Sequence, residues 1–355
     1  MRHTLSHYTH QTWRLVRLLL PRWPRRLIFG LLAGLFLAVT VMYSISAWYG
    51  HTQASQPMTY GVSFIPAYAE SLGLDASETM DALLGIGVKH FRLVSYWNQL
   101  EPAPGQYNFD LLDWQFAKAE KAGAHITLTL GLRQPRWPEC HAPTWVDMSG
   151  NWQPQLYSFM TKVVERYKDS PALADYQLEN EYFLRGFGEC TDFSRDRLVA
   201  EYNLVKRLDP AHKIVIARSN NALGMPIGKP IPDEFSVSVY KRVWDAGVTG
   251  RYLEYPFPAW YYGFLAGVQQ MMHGKPMRIA ELQAEAWPPH GQPIAQVDLP
   301  EQNKSMNAQR LSARFDYARA SNLRRVDLWG GEYWYYRLVK LHEPSLWDVA
   351  RQEFK

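Results

Sequence analysis

The chain has 355 residues, 47% hydrophobic, 14% aromatic and 20% charged, which is enough apolar material for one large domain and too much for a mainly disordered chain. Its two cysteines exclude a disulfide-built scaffold and a four-thiolate zinc site. The net charge of +4 is confined to one end: residues 1–26 hold six arginines and no acid, and taking these six from the 38 Lys and Arg leaves 32 against 34 Asp and Glu. A body without a basic stripe offers no footing to a nucleic-acid partner.

Behind this basic arm (1–26) comes an uncharged apolar run, residues 27–49. As a helix its 23 residues reach roughly 34 Å, enough for a hydrocarbon core of roughly 30 Å. Arginine on one side only, with Trp48 and Tyr49 at the other end, predicts a single-pass anchor in the cell membrane. Its N-terminus would lie in the cytoplasm and its body outside. A cleaved signal peptide and a buried core helix are the competing readings, the former because Ser44, Ser46 and Ala47 are small residues near a possible cut. Residues 50–59 read as a polar linker to a domain at 60–355.

In that domain short β-branched runs alternate with longer amphipathic segments. Strands are predicted at 60–65, 90–96, 125–131, 172–179, 213–217, 235–240, 277–282 and 325–330. Asp75 with Glu78 gives a D-x-x-E start to one helix, and a second opens at Asp110 and stops at Gly123. Others are predicted near 152–168, 193–207, 258–272, 301–320 and 344–353. Eight strands alternating with helices fit an α/β fold, a (β/α)8 TIM barrel. A doubly wound open sheet is the rival, but the first strand leads into GVSFIPAYAES, which lacks a glycine-rich phosphate turn.

In such a barrel, chemistry belongs at the C-terminal strand ends. The fourth strand ends in Glu179-Asn180-Glu181 and the seventh in Glu281, two carboxyl groups 100 positions apart that the fold would bring to one mouth. Glycoside cleavage needs one carboxyl to give a proton and another to attack or stabilise the sugar cation. No H-E-x-x-H, C-x-x-C, Walker or G-x-S-x-G pattern offers another chemistry, so neither a metal nor a cofactor is expected.

The Asn-Glu pair, the I-A-E ending of strand seven, the arginine of HFRLVSYWN, the tryptophan of VDLWGG and the stretch YWNQLEPAPGQYNFDLLDW (96–114) together resemble the clan A retaining glycoside hydrolases, with cellulase-like and β-galactosidase-like members. The resemblance implies Glu181 as acid/base and Glu281 as nucleophile. It further implies Asn180 as the partner of the sugar 2-hydroxyl, Arg92 as a charge-assisted donor to the nucleophile, Tyr240 as a donor nearby and Trp329 as the subsite floor. Glu285, four residues past Glu281, is an alternative nucleophile, disfavoured because it falls in the loop. Trp97, Trp137 and Trp287, with Trp244, Tyr333, Trp334 and the polar loop 132–145, suit a rim for an oligo- or polysaccharide. Cys140 and Cys190 fall in neighbouring loops, where a disulfide is expected and two free thiols are the alternative. The same barrel without chemistry, as a glycan-binding envelope scaffold, and a transglycosylase using the same residues are the rival functions.

Overall fold

A computed structural model describes residues 22–219 and 228–355. The N-terminal helix, Arg22–Thr52, contains the apolar run and continues three residues past it, so part of the expected linker is helical. It is the one helix among the described residues long and apolar enough to cross a membrane.

The strands are β1 Thr59–Phe64, β2 His90–Leu93, β3 His125–Leu130, β4 Leu173–Leu178, β5 Lys213–Ser219, β6 Glu234–Val239, a hairpin of β7 Arg242–Asp245 and β8 Arg251–Glu254, then β9 Met277–Gln283 and β10 Arg325–Trp329. The eight outside the hairpin close a parallel barrel in the order β1-β10-β9-β6-β5-β4-β3-β2. Helices cover the outer face and side chains fill the inside, so β2, β6 and β9 are buried along their whole length although HFRL, EFSVSV and MRIAELQ are each close to half polar; their charged members pair inside the barrel, Arg92 with Glu281 and Arg278 with Glu234.

All eight predicted strands are present. The second ends at Leu93, short of the predicted 96, because Gln134 takes both backbone groups of Ser95: Ser95 N donates to Gln134 Oε1 at 2.8 Å and Gln134 Nε2 donates to Ser95 O at 2.6 Å. The helix expected over 301–320 is two helices, Leu299–Ser305 and Ala308–Ser321. Met306 between them is extended and fully buried, and Asn307 caps the second by accepting from Arg310 N. The hairpin and the helix Gly331–Lys340 were not anticipated.

The end of the barrel away from the mouth holds a buried charge cluster. Asp175 of β4 accepts from Arg278 of β9 at 2.9 and 3.2 Å, from Arg325 of β10 at 2.5 Å and from Thr127 of β3 at 2.8 Å. Burial alone would raise its pKa, but the two guanidinium groups outweigh that and hold the carboxyl well below the usual range. Losing one partner of a buried pair strands the other charges. Asp175→Ala should therefore cost about 3–5 kcal/mol of stability, read as a lower denaturant midpoint for the detergent-solubilised chain.

Candidate active site

The mouth at the C-terminal strand ends opens into a cavity of about 810 Å³. The loops after β3 and β4 form one wall, and they are zipped together by Glu179. Its Oε1 accepts from Leu132 N at 2.7 Å and its Oε2 from Arg133 N at 2.9 Å, while Arg197 donates to it at 2.7 Å from the helix Arg195–Leu208. Asn180 N donates to Arg133 O, and Arg133 Nε donates back to Asn180 O, both at 2.7 Å. Gly131 makes room for this grip, since a Cβ there would lie 2.3 Å from Glu179 Oε1. Of the seven non-glycine residues with positive φ among the described residues, Arg136, Glu139, Glu179 and Glu181 belong to these two loops. Such backbone is costly and persists where surrounding contacts over-determine it.

Glu181 and Glu281 both line the cavity, and their surroundings differ. Glu281 is held on both oxygens: Arg92 Nη1 donates to Oε1 at 2.8 Å and the Tyr240 hydroxyl to Oε2 at 2.6 Å. Glu181 is equally buried, but its Oε1 has no hydrogen-bond partner among the described residues. Burial first, and the charge of Glu281 second, push the Glu181 carboxyl up to about 7. One site thus holds a carboxylate with two donors and a carboxyl that keeps its proton into the neutral range. That is the division of labour acid/base chemistry requires.

A third carboxyl, Glu139, belongs to the polar loop expected at the rim, and its place beside Asn180 and Glu181 was not foreseen. It lies 3.2 Å from Arg133 Nη2 and accepts from Asn180 Nδ2 at 3.1 Å, and burial followed by the Glu181 charge pushes it up to about 8. Asn180 Oδ1 accepts from Arg92 Nη2 at 2.8 Å and from Gln177 at 3.2 Å. Its amide is therefore oriented by Arg92 on one side and Glu139 on the other. Glu285 reaches the same cavity but is otherwise engaged: Arg136 Nη2 is 3.3 Å from each of its oxygens and Trp329 Nε1 donates to it at 2.8 Å. The Arg136 guanidinium is itself layered 3.3 Å from the Tyr68 ring centroid and 4.6 Å from that of Trp329.

The chain resembles the clan A glycoside hydrolases. A family model described as beta-galactosidase matches residues 75–148, the stretch that carries Arg92 and Glu139. Among solved structures, a polyextremophilic β-galactosidase from the Antarctic haloarchaeon Halorubrum lacusprofundi is 14% identical with a TM-score of 0.54, covering 84% of this chain and 58% of its own. A GH5_18 enzyme from Streptomyces cattleya, solved with Manβ1-4GlcNAc, is 15% identical with a TM-score of 0.54, covering 77% of this chain and 71% of its own. A family 39 glycoside hydrolase from the gut symbiont Bacteroides cellulosilyticus WH2 is 18% identical with a TM-score of 0.50, covering 77% and 56%. The chain thus spans little more than half the length of the β-galactosidase and the family 39 enzyme, and the likeness is one of fold.

The expected aromatic rim divides. Trp137 is 60% exposed at the cavity edge, edge-on to Phe187, and Trp287 stands edge-on to Tyr240 with ring centroids 5.3 Å apart. Trp329 lines the cavity with Arg136 against its ring. Trp97 is no rim residue. It is fully buried against Trp145 and Phe159, with its indole N–H donating to Glu101 at 2.8 Å, because the short helix Trp97–Leu100 turns it inward. Tyr333 and Trp334 are likewise core. The hairpin supplies wall residues: Trp244, expected at the rim, together with Val243 and Leu253, which were not foreseen. The disulfide is not formed: Cys140 and Cys190 are free thiols in contact, and hydrogen bonding to Cys140, followed by burial, pushes the Cys190 thiol up.

Carboxyl groups raised above their ordinary 4.5, as Glu181 is to about 7 and Glu139 to about 8, favour the fold at low pH and cease to do so as pH climbs through those values. The melting temperature should fall between pH 5 and pH 9, and Glu139→Gln should flatten that fall. A scanning-fluorimetry series across this range, wild type against variant, checks both.

Proposed function

We propose that this chain is a membrane-anchored retaining β-glycoside hydrolase that cleaves an oligo- or polysaccharide. The observation that carries the reading is the unequal pair in one cavity, Glu281 held by Arg92 and Tyr240 while Glu181 keeps an unpartnered oxygen and a raised pKa. Its likeness in fold to β-galactosidases and to an enzyme solved with Manβ1-4GlcNAc supports a β-linked substrate.

In the proposed reaction Glu181 gives its proton to the glycosidic oxygen while Glu281 attacks the anomeric carbon, so the bond to the leaving sugar breaks as the glycosyl–enzyme ester forms. The leaving sugar departs as an alcohol. Glu181, now ionised, takes a proton from water, which displaces Glu281 and regenerates both side chains. Arg92 and Tyr240 fix the attacking carboxylate and disperse its charge. Asn180 presents its amide N–H to the sugar next to the reacting carbon. The exposed face of Trp137 and the edges of Trp287 and Tyr240 suit the C–H faces of sugar rings, and the cavity of about 810 Å³ gives room for more than one ring. We assign the nucleophile to Glu281, which lies within β9, and not to Glu285, which lies two residues past the end of that strand and meets Arg136 and Trp329.

The anchor reading completes the proposal. Residues 27–49 cross the bilayer once, the arginine-rich arm 1–26 stays in the cytoplasm and residues 60–355 form the catalytic domain outside.

Four outcomes test the mechanism on aryl β-glycosides and cell-wall glycans. Because Glu181 must be protonated in the first step and sits near 7, turnover should decline as pH rises above about 7. Glu181→Gln should cut turnover of a poorly activated substrate by about 10²-fold or more and remove that alkaline limb. Glu281→Ala should abolish turnover and regain it with azide, and a 2-fluoro glycoside should label Glu281 in the intact enzyme, as peptide mass mapping would show. Labelling of Glu285, or full activity of either variant, would overturn the assignment.

A further inference from the structure

The N-terminal helix is not held off from the barrel. From Arg26 to Val41 its side chains are exposed all round, whereas Ser46 and Tyr49 are buried. What covers them is the helix Ala259–His273 between the hairpin and β9. A Cβ placed at Gly263 would lie 2.4 Å from Ser46 Oγ, and one at Gly267 would lie 2.6 Å from Ile45 Cγ2. Two glycines four residues apart thus let the helices meet at backbone distance. Beside that contact Tyr43 stands edge-on to Trp260, with ring centroids 6.0 Å apart.

Length then decides where the barrel must be. A hydrocarbon core of roughly 30 Å takes about 20 helical residues. From Leu27, the first residue past the arginines, to Ile45, the last before the buried Ser46, the helix rises about 28 Å. Nothing is left over for a tether, and the barrel begins where the lipid ends. The surface at that depth is apolar. The helix Ala259–His273, AWYYGFLAGVQQMMH, carries no Asp, Glu, Lys or Arg, and its Met271 and Met272 are 58% and 61% exposed. Between Met271 and the residues Thr40, Ser44 and Trp48 of the N-terminal helix runs an open groove of about 300 Å³. An uncharged helix with exposed methionines is an unusual thing to offer to water, and a suitable one for an interface of headgroups and acyl chains.

We propose that the barrel flank formed by helix Ala259–His273 is a membrane-contact face, with Met271, Met272 and Trp260 seated in the interfacial layer of the bilayer that the N-terminal helix crosses. The inference rests on reading that helix as an uncleaved span. It goes further in making the catalytic domain a seated one, fixed in orientation to the lipid surface, so that substrate is met at the membrane and not at the end of a flexible leash.

The test uses the full chain in phosphatidylcholine–phosphatidylglycerol vesicles. A benzophenone amino acid is placed singly at Leu37 in the span, at Met271 or Met272, and at Lys121, an exposed residue of the helix Asp110–Ala122 on the opposite side of the barrel. After irradiation, lipid adducts are counted by mass spectrometry. Adducts at 271 and 272 should exceed those at 121 by about tenfold or more. Adducts at 37 without them at 271 and 272 would overturn the seated arrangement and leave the span intact. No adduct at 37 would overturn the anchor itself and the proposal with it. Protein–protein products at 271 and 272 in place of lipid adducts would assign this face to a second copy of the chain and overturn the lipid contact.

Discussion

Arg92 is the cation on which the rest of the mouth is organised. From β2 it donates to Glu281 of β9, to Asn180 just past β4, to Gln177 of β4 and to Ser63 of β1, at 2.7 to 3.1 Å. A guanidinium with 1% exposure has no water to solvate it, so its fork of donors must find acceptors in fixed places. Four barrel strands are thereby tied at one level. The same demand that satisfies a buried charge sets the direction of the Asn180 amide and the position of the Glu281 carboxylate. Glu181 gains no such donor on its Oε1, and the difference between the two acids follows from which of them this cation reaches.

The barrel repeats this logic in layers. Below Arg92, Asp175 binds Arg278 and Arg325, and Arg278 also meets Glu234; beside the mouth, Glu179 and Glu201 share Arg197. Buried ion pairs of this kind contribute little net stability against well-packed apolar residues, but they are unforgiving of displacement. Their value to the barrel is that the strand ends cannot slide past one another without stranding a charge.

Most of the barrel was legible because short segments rich in β-branched and apolar residues recur between longer amphipathic helices, even where buried polar residues interrupt them. The strand ends were less so. The second strand stops where Gln134, a residue 39 positions away, takes the Ser95 backbone, and no local pattern announces that. Gly331–Lys340 was missed because its buried face includes Glu332 and Arg337, polar residues that blur helical periodicity. At the mouth, the Glu181 and Glu281 placement followed from order along the chain, whereas the fate of the tryptophans did not. Trp97 and Trp137 both follow strands, yet one is core and the other rim, and that depends on whether the next few residues turn inward. Glu139 reaches the site through left-handed backbone at Arg136 and at itself; the proline-flanked WPE of its loop was a signal of unusual backbone without a direction attached.

The close fit at Gly263 and Gly267 has a consequence for processing. Were a peptidase to cut near Ala47, Ile45 and Ser46 would leave with the released peptide. Two glycines would then lie bare in a fifteen-residue helix without a single charge, and the edge of Trp260 would lose Tyr43. The product would be a barrel with a greasy scar in place of a socket, prone to stick to whatever apolar surface came next. Keeping the plug in its socket is what lets the barrel have such a flank at all.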